Sequence, residues 1–217
     1  MTNRRLTLRA LGLALALAGL SPALQASNDD DEEGFRSGKV FTSTNATAGN
    51  DVMIYDADPG ALSLAARIAT QGTGTGTGLG NQGAVTLSGD GRWLFVVNAG
   101  SHNVSTFRVR RSGVHLVSVT PSGGLRPVSV AEHEGLVYVL NADGSNNIAG
   151  FRNHDGRLEA VAGGTQPLSA ASGTGPAQVG FGEDGRSLIV TEKATNKLTT
   201  YRVRHDGGID APLVTAS

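Results

Sequence analysis

The sequence contains no cysteine, which excludes disulfide bonds, thiolate metal sites and cysteine nucleophiles. It also lacks an excess of positive charge: 18 Lys and Arg residues face 19 Asp and Glu residues, so no basic surface for nucleic acid is expected. Aromatic residues make up only 5% of the chain, whereas glycine is abundant at 31 residues. Together with many Val, Thr and Ser residues, this composition is typical of short strands joined by tight turns.

The first 26 residues have the pattern of an export signal. Arg4, Arg5 and Arg9 precede an apolar Leu/Ala/Gly run over residues 11–20, and Ala26 offers a small residue for cleavage. The run is short for a membrane span, so a retained anchor is the less favoured alternative, and no span is expected after cleavage. Residues 27–37 are acidic and predict a flexible linker. The predicted location is therefore the periplasm or the exterior of a bacterial cell.

A repeated pattern dominates residues 38–217. Each unit has an apolar strand, a turn that opens at Asn or Glu, and a second strand that ends in an aromatic residue. A polar hairpin follows, which contains Asp-Gly in units three and four, and a further strand comes after it. A short strand also precedes units two to four. The two central strands of the units are 39–45 with 51–55, 93–98 with 103–107, 136–141 with 147–151, and 187–192 with 197–201.

Four hairpin-linked strands per unit of 40–50 residues are the signature of a β-propeller blade. After residue 26 no long window has a helical apolar period, and residues 62–68, the nearest rival, are predicted as a strand from their place in the repeat. The predicted fold class is all-β: a β-propeller of four-stranded antiparallel blades, with about four blades present.

Two segments carry a resemblance to a known family. LFVVN at 94–98 and LVYVLN at 136–141 resemble the YVTN-type repeat of bacterial surface and lactonase propellers. The order of strand, Asp-Gly-Arg, apolar strand, Asn, aromatic residue and Asp-Gly is similar to the seven-bladed lactonase family, which includes phosphogluconolactonases and carboxymuconate-cyclising enzymes. The resemblance implies a site in the central channel that hydrolyses or forms a lactone.

The chain departs from that family in its number of blades. It has four units instead of about seven, and the first unit has no strand in front of Lys39. We expect an incomplete ring, from a truncated product or gene, with a four-bladed ring as the alternative. Sheet edges exposed in such a ring favour self-association.

The channel is expected to be lined by the segments that precede the inner strands, 80–83, 124–127 and 175–178, which we call the inlet segments. The resemblance implies a Pro-Arg-His sequence in each inlet segment. Only Arg126 matches the Arg, and Pro127, Ala84 and Gln178 stand where the His is implied. Arg126 could bind a substrate carboxylate or stabilise an oxyanion. The alternative interpretation is an ordinary arginine that links two blades.

Glu192, at the end of an apolar strand, is predicted as a general base that activates water. Its alternative role is a turn residue paired with Lys193 or Lys197. Further residues that could bind a ligand at the same end of the blades are Gln82, Asn98, His102, Asn141 and Gln178. The simpler interpretations are that the asparagines cap turns and that His102 is solvated.

Two glycine-rich segments are not expected to bind cofactors. Residues 78–83 match the dinucleotide pattern GxGxxG, but a strand follows them, so no helix N-terminus is available for a pyrophosphate. The Gly-Thr repeat at 72–78 predicts a flexible loop. The remaining histidines have no ligand spacing, so neither a metal nor a cofactor is expected.

Two functions remain open. The first is an exported lactonase-like propeller that acts on a small-molecule lactone or carboxylate by non-covalent acid/base chemistry. The second is a non-catalytic binding or scaffold propeller of the cell envelope, with an inactive fragment as a further alternative.

Overall fold

The computed structural model describes residues 38–217, and the predicted signal peptide (1–26) and acidic linker (27–37) lie outside the described residues. The described part is built from sixteen strands and contains no helix. The described residues therefore contain no helix that is long and apolar enough to cross a membrane. The all-β prediction is confirmed, including the strand predicted at 62–68, which lies within Ala61–Ala69.

The strands form four antiparallel sheets, which we number as blades 1 to 4 along the chain. Blade 1 consists of Gly38–Ser43 (β1), Asp51–Asp58 (β2) and Ala61–Ala69 (β3). Blade 2 consists of Val85–Leu87 (β4), Trp93–Asn98 (β5), Asn103–Arg110 (β6) and Gly113–Pro121 (β7). Blade 3 consists of Leu125–His133 (β8), Leu136–Asp143 (β9), Asn147–His154 (β10), Arg157–Ala160 (β11) and Gln166–Pro167 (β12). Blade 4 consists of Pro176–Phe181 (β13), Ser187–Glu192 (β14), Lys197–Arg202 (β15) and Leu213–Ala216 (β16).

Each blade is a meander in which consecutive strands pair, except that the short β12 of blade 3 pairs with β10. The inner strands are β4, β8 and β13, and β8 packs against β4 on one side and β13 on the other. Within the described residues, blade 1 has three strands, so β1 pairs with β2 alone. The four blades form an open row rather than a closed ring, as expected for an incomplete propeller.

The hydrophobic core lies between the blades. Blades 3 and 4 enclose Tyr138, Leu140, Leu188 and Tyr201, and blades 2 and 3 enclose a second cluster around Val139. The third cluster, between blades 1 and 2, has a smaller buried centre and more half-buried members. Alternate residues of a strand face opposite sides of its sheet. The apolar strands β5 and β9 are buried on both faces, so they pack against the neighbouring blades on either side and hold the blades together.

The ladder registers align the blades residue by residue. Asn98 pairs with Asn103, Asn141 with Asn147, and Glu192 with Lys197, so these three residues occupy one position of the repeat. In blade 1 that position is Thr44, whose N–H donates to the Asp51 carbonyl at 3.0 Å. The sequence pattern placed it at Asn45, one residue too late.

The Gly-Thr loop at 72–78 is not a loose connection, contrary to the sequence-based expectation. The Asn45 side chain accepts from the Thr75 N–H at 3.0 Å and donates to the Thr77 carbonyl at 2.8 Å. There is no room for a Cβ at Gly74, which would lie 2.1 Å from the Asn45 carbonyl carbon. The glycines therefore let the loop lie directly against the end of blade 1.

Candidate functional site

The three inlet segments lie together at one end of the blades. The Gln82 N–H donates to the Ala177 carbonyl at 3.0 Å, which joins the inlets of blades 2 and 4. The Asn81 amide donates to the Val128 carbonyl at the start of blade 3, and the Lys193 ammonium donates to the Gly80 carbonyl. This inlet end is also where β5, β9 and β14 finish, so all seven candidate residues named from the sequence lie at it.

The registers correct the alignment of the inlets. Pro127 pairs with Asn141 and Pro176 with Glu192, which makes these two prolines equivalent. Ser129 pairs with Leu140 and Gln178 with Thr191, so Ser129, and not Pro127, is the equivalent of Gln178. The same irregularity interrupts both registers, between Pro127 and Ser129 in β8 and between Pro176 and Gln178 in β13.

Arg126 has an unusual backbone conformation. Its φ is 54°, in the left-handed region, and the equivalent residue of blade 4 is Gly175, with φ of 55°. A side chain in this region costs roughly 1–2 kcal/mol, and glycine avoids the cost. Backbone strain of this kind is found at ligand sites when the surrounding structure maintains it.

A side chain from the preceding blade maintains the Arg126 conformation. The Arg126 N–H donates to Nδ1 of His102 at 3.0 Å, and His102 itself has a φ of 58°. The half-buried Arg126 guanidinium donates through Nη1 to Oδ1 of Asp143 at 3.3 Å. His102, Arg126 and Asp143 therefore form one polar cluster, which we call the inlet triad.

Asn98 is fully buried and fully hydrogen-bonded. Its amide nitrogen donates to Asn103 at 2.7 Å and Ser105 at 2.8 Å. Its oxygen accepts from Asn50 at 2.9 Å and from Thr70 at 2.7 Å, both in blade 1. Asn98 thus joins blade 1 to blade 2, and no polar atom of its side chain is left for a ligand.

Asn141 occupies the same position between blades 2 and 3. Its amide donates to the Ser122 carbonyl at 3.1 Å, whereas its buried Oδ1 has no hydrogen-bond partner. In blade 3 the residue equivalent to Ser105 is Ala149, which offers no hydroxyl to Asn141. The polar groups at the junction between blades 2 and 3 are therefore less completely hydrogen-bonded than those at the junction between blades 1 and 2.

Glu192 is the equivalent residue between blades 3 and 4. It is 2% exposed, and its carboxylate accepts from the N–H and hydroxyl of Ser169, from Thr195 at 3.0 Å and from Thr199 at 2.5 Å. Burial acts to raise the pKa of Glu192, but the hydrogen bonds from Ser169, Thr199 and Thr195 outweigh it and hold the pKa below its usual value. This is the environment of a structural carboxylate that remains ionised.

Gln82 and Gln178 are exposed and lie on adjacent inlets, since the Gln82 N–H binds the carbonyl of Ala177. The structure thus divides the seven candidates: His102 and Arg126 are in contact, Gln82 and Gln178 face solvent, and Asn98, Asn141 and Glu192 lie in the junctions between blades.

Asp143 was missed from the sequence. Its Asp-Gly turn resembled any other hairpin, and only the pairing of Leu125 with Asp143 brings it to Arg126.

In the part of the chain that the structure describes, no group of three or more His, Asp or Glu side chains is placed to hold a metal ion. The inlet triad combines one cation, one carboxylate and one imidazole. Such a set can bind an anion or a polarised carbonyl and can move a proton.

The family model described as "Lactonase, 7-bladed beta-propeller" matches residues 48–163, a little over half of the chain. The search of curated proteins gave no significant match. Among solved structures, the periplasmic gluconolactonase of Pseudomonas aeruginosa is similar with a TM-score of 0.65 and 19% identity, over 82% of this chain and 54% of that one.

A putative 6-phosphogluconolactonase from Bacteroides uniformis is similar with a TM-score of 0.62 and 14% identity, over 82% of this chain and 54% of that one. A protein of unknown function from Desulfotomaculum acetoxidans has a TM-score of 0.57 and 14% identity, over 79% of this chain and 56% of that one. These likenesses show the fold, and the chain spans about half the length of the structures it matches. Four meander blades and the family match together identify the chain as a member of the seven-bladed β-propeller lactonase family.

Proposed function

We propose that this chain forms part of an exported propeller that hydrolyses a lactone, or closes one, at its inlet end. The observation that carries the proposal is the inlet triad: a half-buried arginine, in contact with an imidazole and a carboxylate, at the inlet segments that are expected to line the channel. Export rests on the signal-like residues 1–26 and on the periplasmic location named for the similar Pseudomonas protein.

In this proposal Arg126 binds the oxygen that becomes negative during the reaction. A guanidinium presents several donors in one plane and stabilises a carboxylate or an oxyanion well. The left-handed backbone and the bond to His102 fix the point from which the side chain extends. Positioning of this kind is what a site needs if it is to bind the transition state better than the substrate.

His102 and Asp143 supply the proton transfers. Because Nδ1 of His102 accepts from Arg126, its neutral ring carries the proton on Nε2, which can donate to a lactone oxygen. Water attacks the carbonyl carbon as its proton passes to Asp143. The ring C–O bond then breaks, and the leaving oxygen takes up a proton to give the hydroxy acid.

Glu192 is the base that the sequence suggested, and we assign it a different role. Four protein donors occupy its carboxylate at the junction of blades 3 and 4. A base must be within hydrogen-bond reach of the water it activates, and the exposed Asp143 meets that condition more directly.

The test is hydrolysis of δ-gluconolactone, followed in a pH-stat with the full chain. We expect Arg126→Ala to lower kcat/KM by about 10²–10³, the loss typical of removing an oxyanion donor. Asp143→Asn should lower kcat with a smaller effect on KM. Arg202→Ala is the matched control, because Arg202 is an exposed arginine on the outer strands of blade 4. Unchanged turnover in Arg126→Ala would rule the assignment out.

The second candidate is a binding propeller without catalysis. It is favoured by the fact that three of the candidate polar residues, Asn98, Asn141 and Glu192, are used to join blades. In that case calorimetry would detect Arg126-dependent binding of gluconate to a chain that shows no lactone turnover.

A further inference from the structure

A cleft between blades 1 and 2 lies at the end of the blades opposite the inlet triad. Its volume is about 360 Å³, and it is bounded by β1 and β3 of blade 1 and by the hairpin between β6 and β7 of blade 2. Phe41, Ile54 and Ile68 form the apolar floor. A cleft of this size accommodates a small organic molecule.

The next junction along the chain has no room in the corresponding place. There the hairpin of blade 3 packs on Trp93 and Val117, and a Cβ at Gly156 would lie 2.4 Å from the indole and 2.7 Å from Val117. The Ser118 hydroxyl also donates to the Gly156 carbonyl at 2.6 Å. The equivalent space between blades 3 and 4 contains Leu136 and Tyr138, whose hydroxyl donates to the Gly207 carbonyl.

The registers show why the first junction is open. Lys39 pairs with Asp56 as Trp93 pairs with Arg108, so a lysine stands where blade 2 has its indole. The extra residue of the bulge in β3 is Ala65, whereas in β7 it is Val117. The cleft is thus the space that an indole and a larger aliphatic side chain fill one blade later.

The rim of the cleft is basic. Arg110, Arg111 and His115 come from blade 2, and Lys39, in an ion pair with Asp56, comes from blade 1. In the described part of the chain, neither Arg110 nor Arg111 makes an ion pair with a carboxylate. The rim therefore carries a net positive charge above an apolar floor.

We propose that this cleft binds a compact apolar carboxylate, with its ring or chain on Phe41, Ile54 and Ile68 and its anionic group at Arg110 and Arg111. Apolar surface buried on the floor supplies affinity, and the arginines select the charge. The site is separate from the inlet triad, so it does not depend on the proposed lactone chemistry.

The probe is 2-naphthoate, titrated into the full chain by calorimetry, with the neutral 2-naphthylmethanol as its uncharged analogue. We expect saturable 1:1 binding of the carboxylate and at least about tenfold weaker binding of the alcohol, a difference of about 1.4 kcal/mol. The double variant Arg110→Ala/Arg111→Ala removes both rim charges. Its affinities for the two probes should lie within about twofold of each other.

Ala65→Val, which copies the residue of blade 2, should weaken both probes by partly filling the cleft. Arg186→Ala/Arg202→Ala removes two exposed arginines from blade 4 and should leave the affinity for 2-naphthoate unchanged. The proposal is overturned if 2-naphthoate does not saturate, if the alcohol binds equally well, or if the blade 4 pair weakens binding as much as the cleft pair does.

Discussion

The backbone N–H of Arg126 donates to Nδ1 of His102 at 3.0 Å, and both residues have a left-handed φ. The inlet of blade 3 is thus fixed to the turn of blade 2 by a bond that does not involve the guanidinium. Substitutions of Arg126 can therefore separate the effect of its backbone on the stability of the fold from the effect of its side chain on ligand binding.

We expect Arg126→Gly to be more stable than Arg126→Ala by about 0.5–1 kcal/mol. Both variants retain the N–H that binds His102, but only glycine adopts a φ of 54° without steric cost, as Gly175 does in blade 4. Urea unfolding of the two variants measures the difference. Equal stabilities would show that the left-handed conformation is not retained in solution.

Glu192 should make the stability of the chain depend on pH below about 4.5. Its folded-state pKa lies below the ordinary value of 4.5, so the folded state binds fewer protons than the unfolded state in this range. The contribution is complete above that value and is lost as the pH falls through the lowered folded-state pKa. Glu192→Gln should therefore cost about 2–3 kcal/mol at neutral pH, because the donors lose a charged acceptor.

The measurement is urea unfolding of the wild type and Glu192→Gln at pH 7 and near pH 3. The difference between them should shrink at the acid pH, because the unfolded wild type then binds a proton more readily than the folded wild type does. Glu183→Gln, at an exposed glutamate of the same blade, is the control for the loss of one negative charge. A constant difference at both pH values would contradict the role assigned to Glu192.

The strands and their order could be predicted from the sequence because each blade repeats the same alternation of apolar strand and polar turn. What the repeat could not reveal was how its equivalent positions are used. Asn98 and Glu192 align in the sequence, but their burial depends on Thr70 and Ser169, which come from the preceding blades. Long-range packing of this kind leaves no local pattern.

For the same reason, the inlet triad could be predicted from the sequence only in part. Arg126 was singled out through the family resemblance and His102 by its place in the turn, whereas their contact depends on a left-handed residue and on the irregular register of β8. Asp143 is brought in by its pairing with Leu125, across the β8–β9 hairpin. Neither a bulge nor a positive φ at an arginine has a sequence signal of its own.

Asn98 and Asn141 occupy equivalent positions but should differ in their contribution to stability. Asn98→Ala removes four hydrogen bonds at a fully buried position and takes away the donor of Asn103 Oδ1, so we expect a loss of about 3–4 kcal/mol. Asn141→Ala removes a single bond and also an oxygen that has no partner, so its loss should be about 1 kcal/mol. Thermal and urea unfolding of both variants tests the ranking, and equal losses would contradict it.

The Gly-Thr loop offers a test of whether its glycines are structural. A Cβ at Gly74 would lie 2.1 Å from the Asn45 carbonyl carbon and 2.2 Å from its oxygen, so Gly74→Ala must displace the loop from the end of blade 1. We expect a loss of about 2 kcal/mol, in the range of overpacking substitutions, and faster proteolysis within residues 72–78.

Gly78→Ala is the matched control, because nothing lies within 4 Å of a Cβ at Gly78. Its melting temperature and its proteolysis rate should stay close to those of the wild type. If the two alanine variants behaved alike, the loop would be free in solution, as its composition alone suggests. If only Gly74→Ala is cleaved faster, the alternation of glycine and threonine reflects close packing: glycine at 74 makes room for Asn45, while the neighbouring Thr75 and Thr77 provide the groups that bind it.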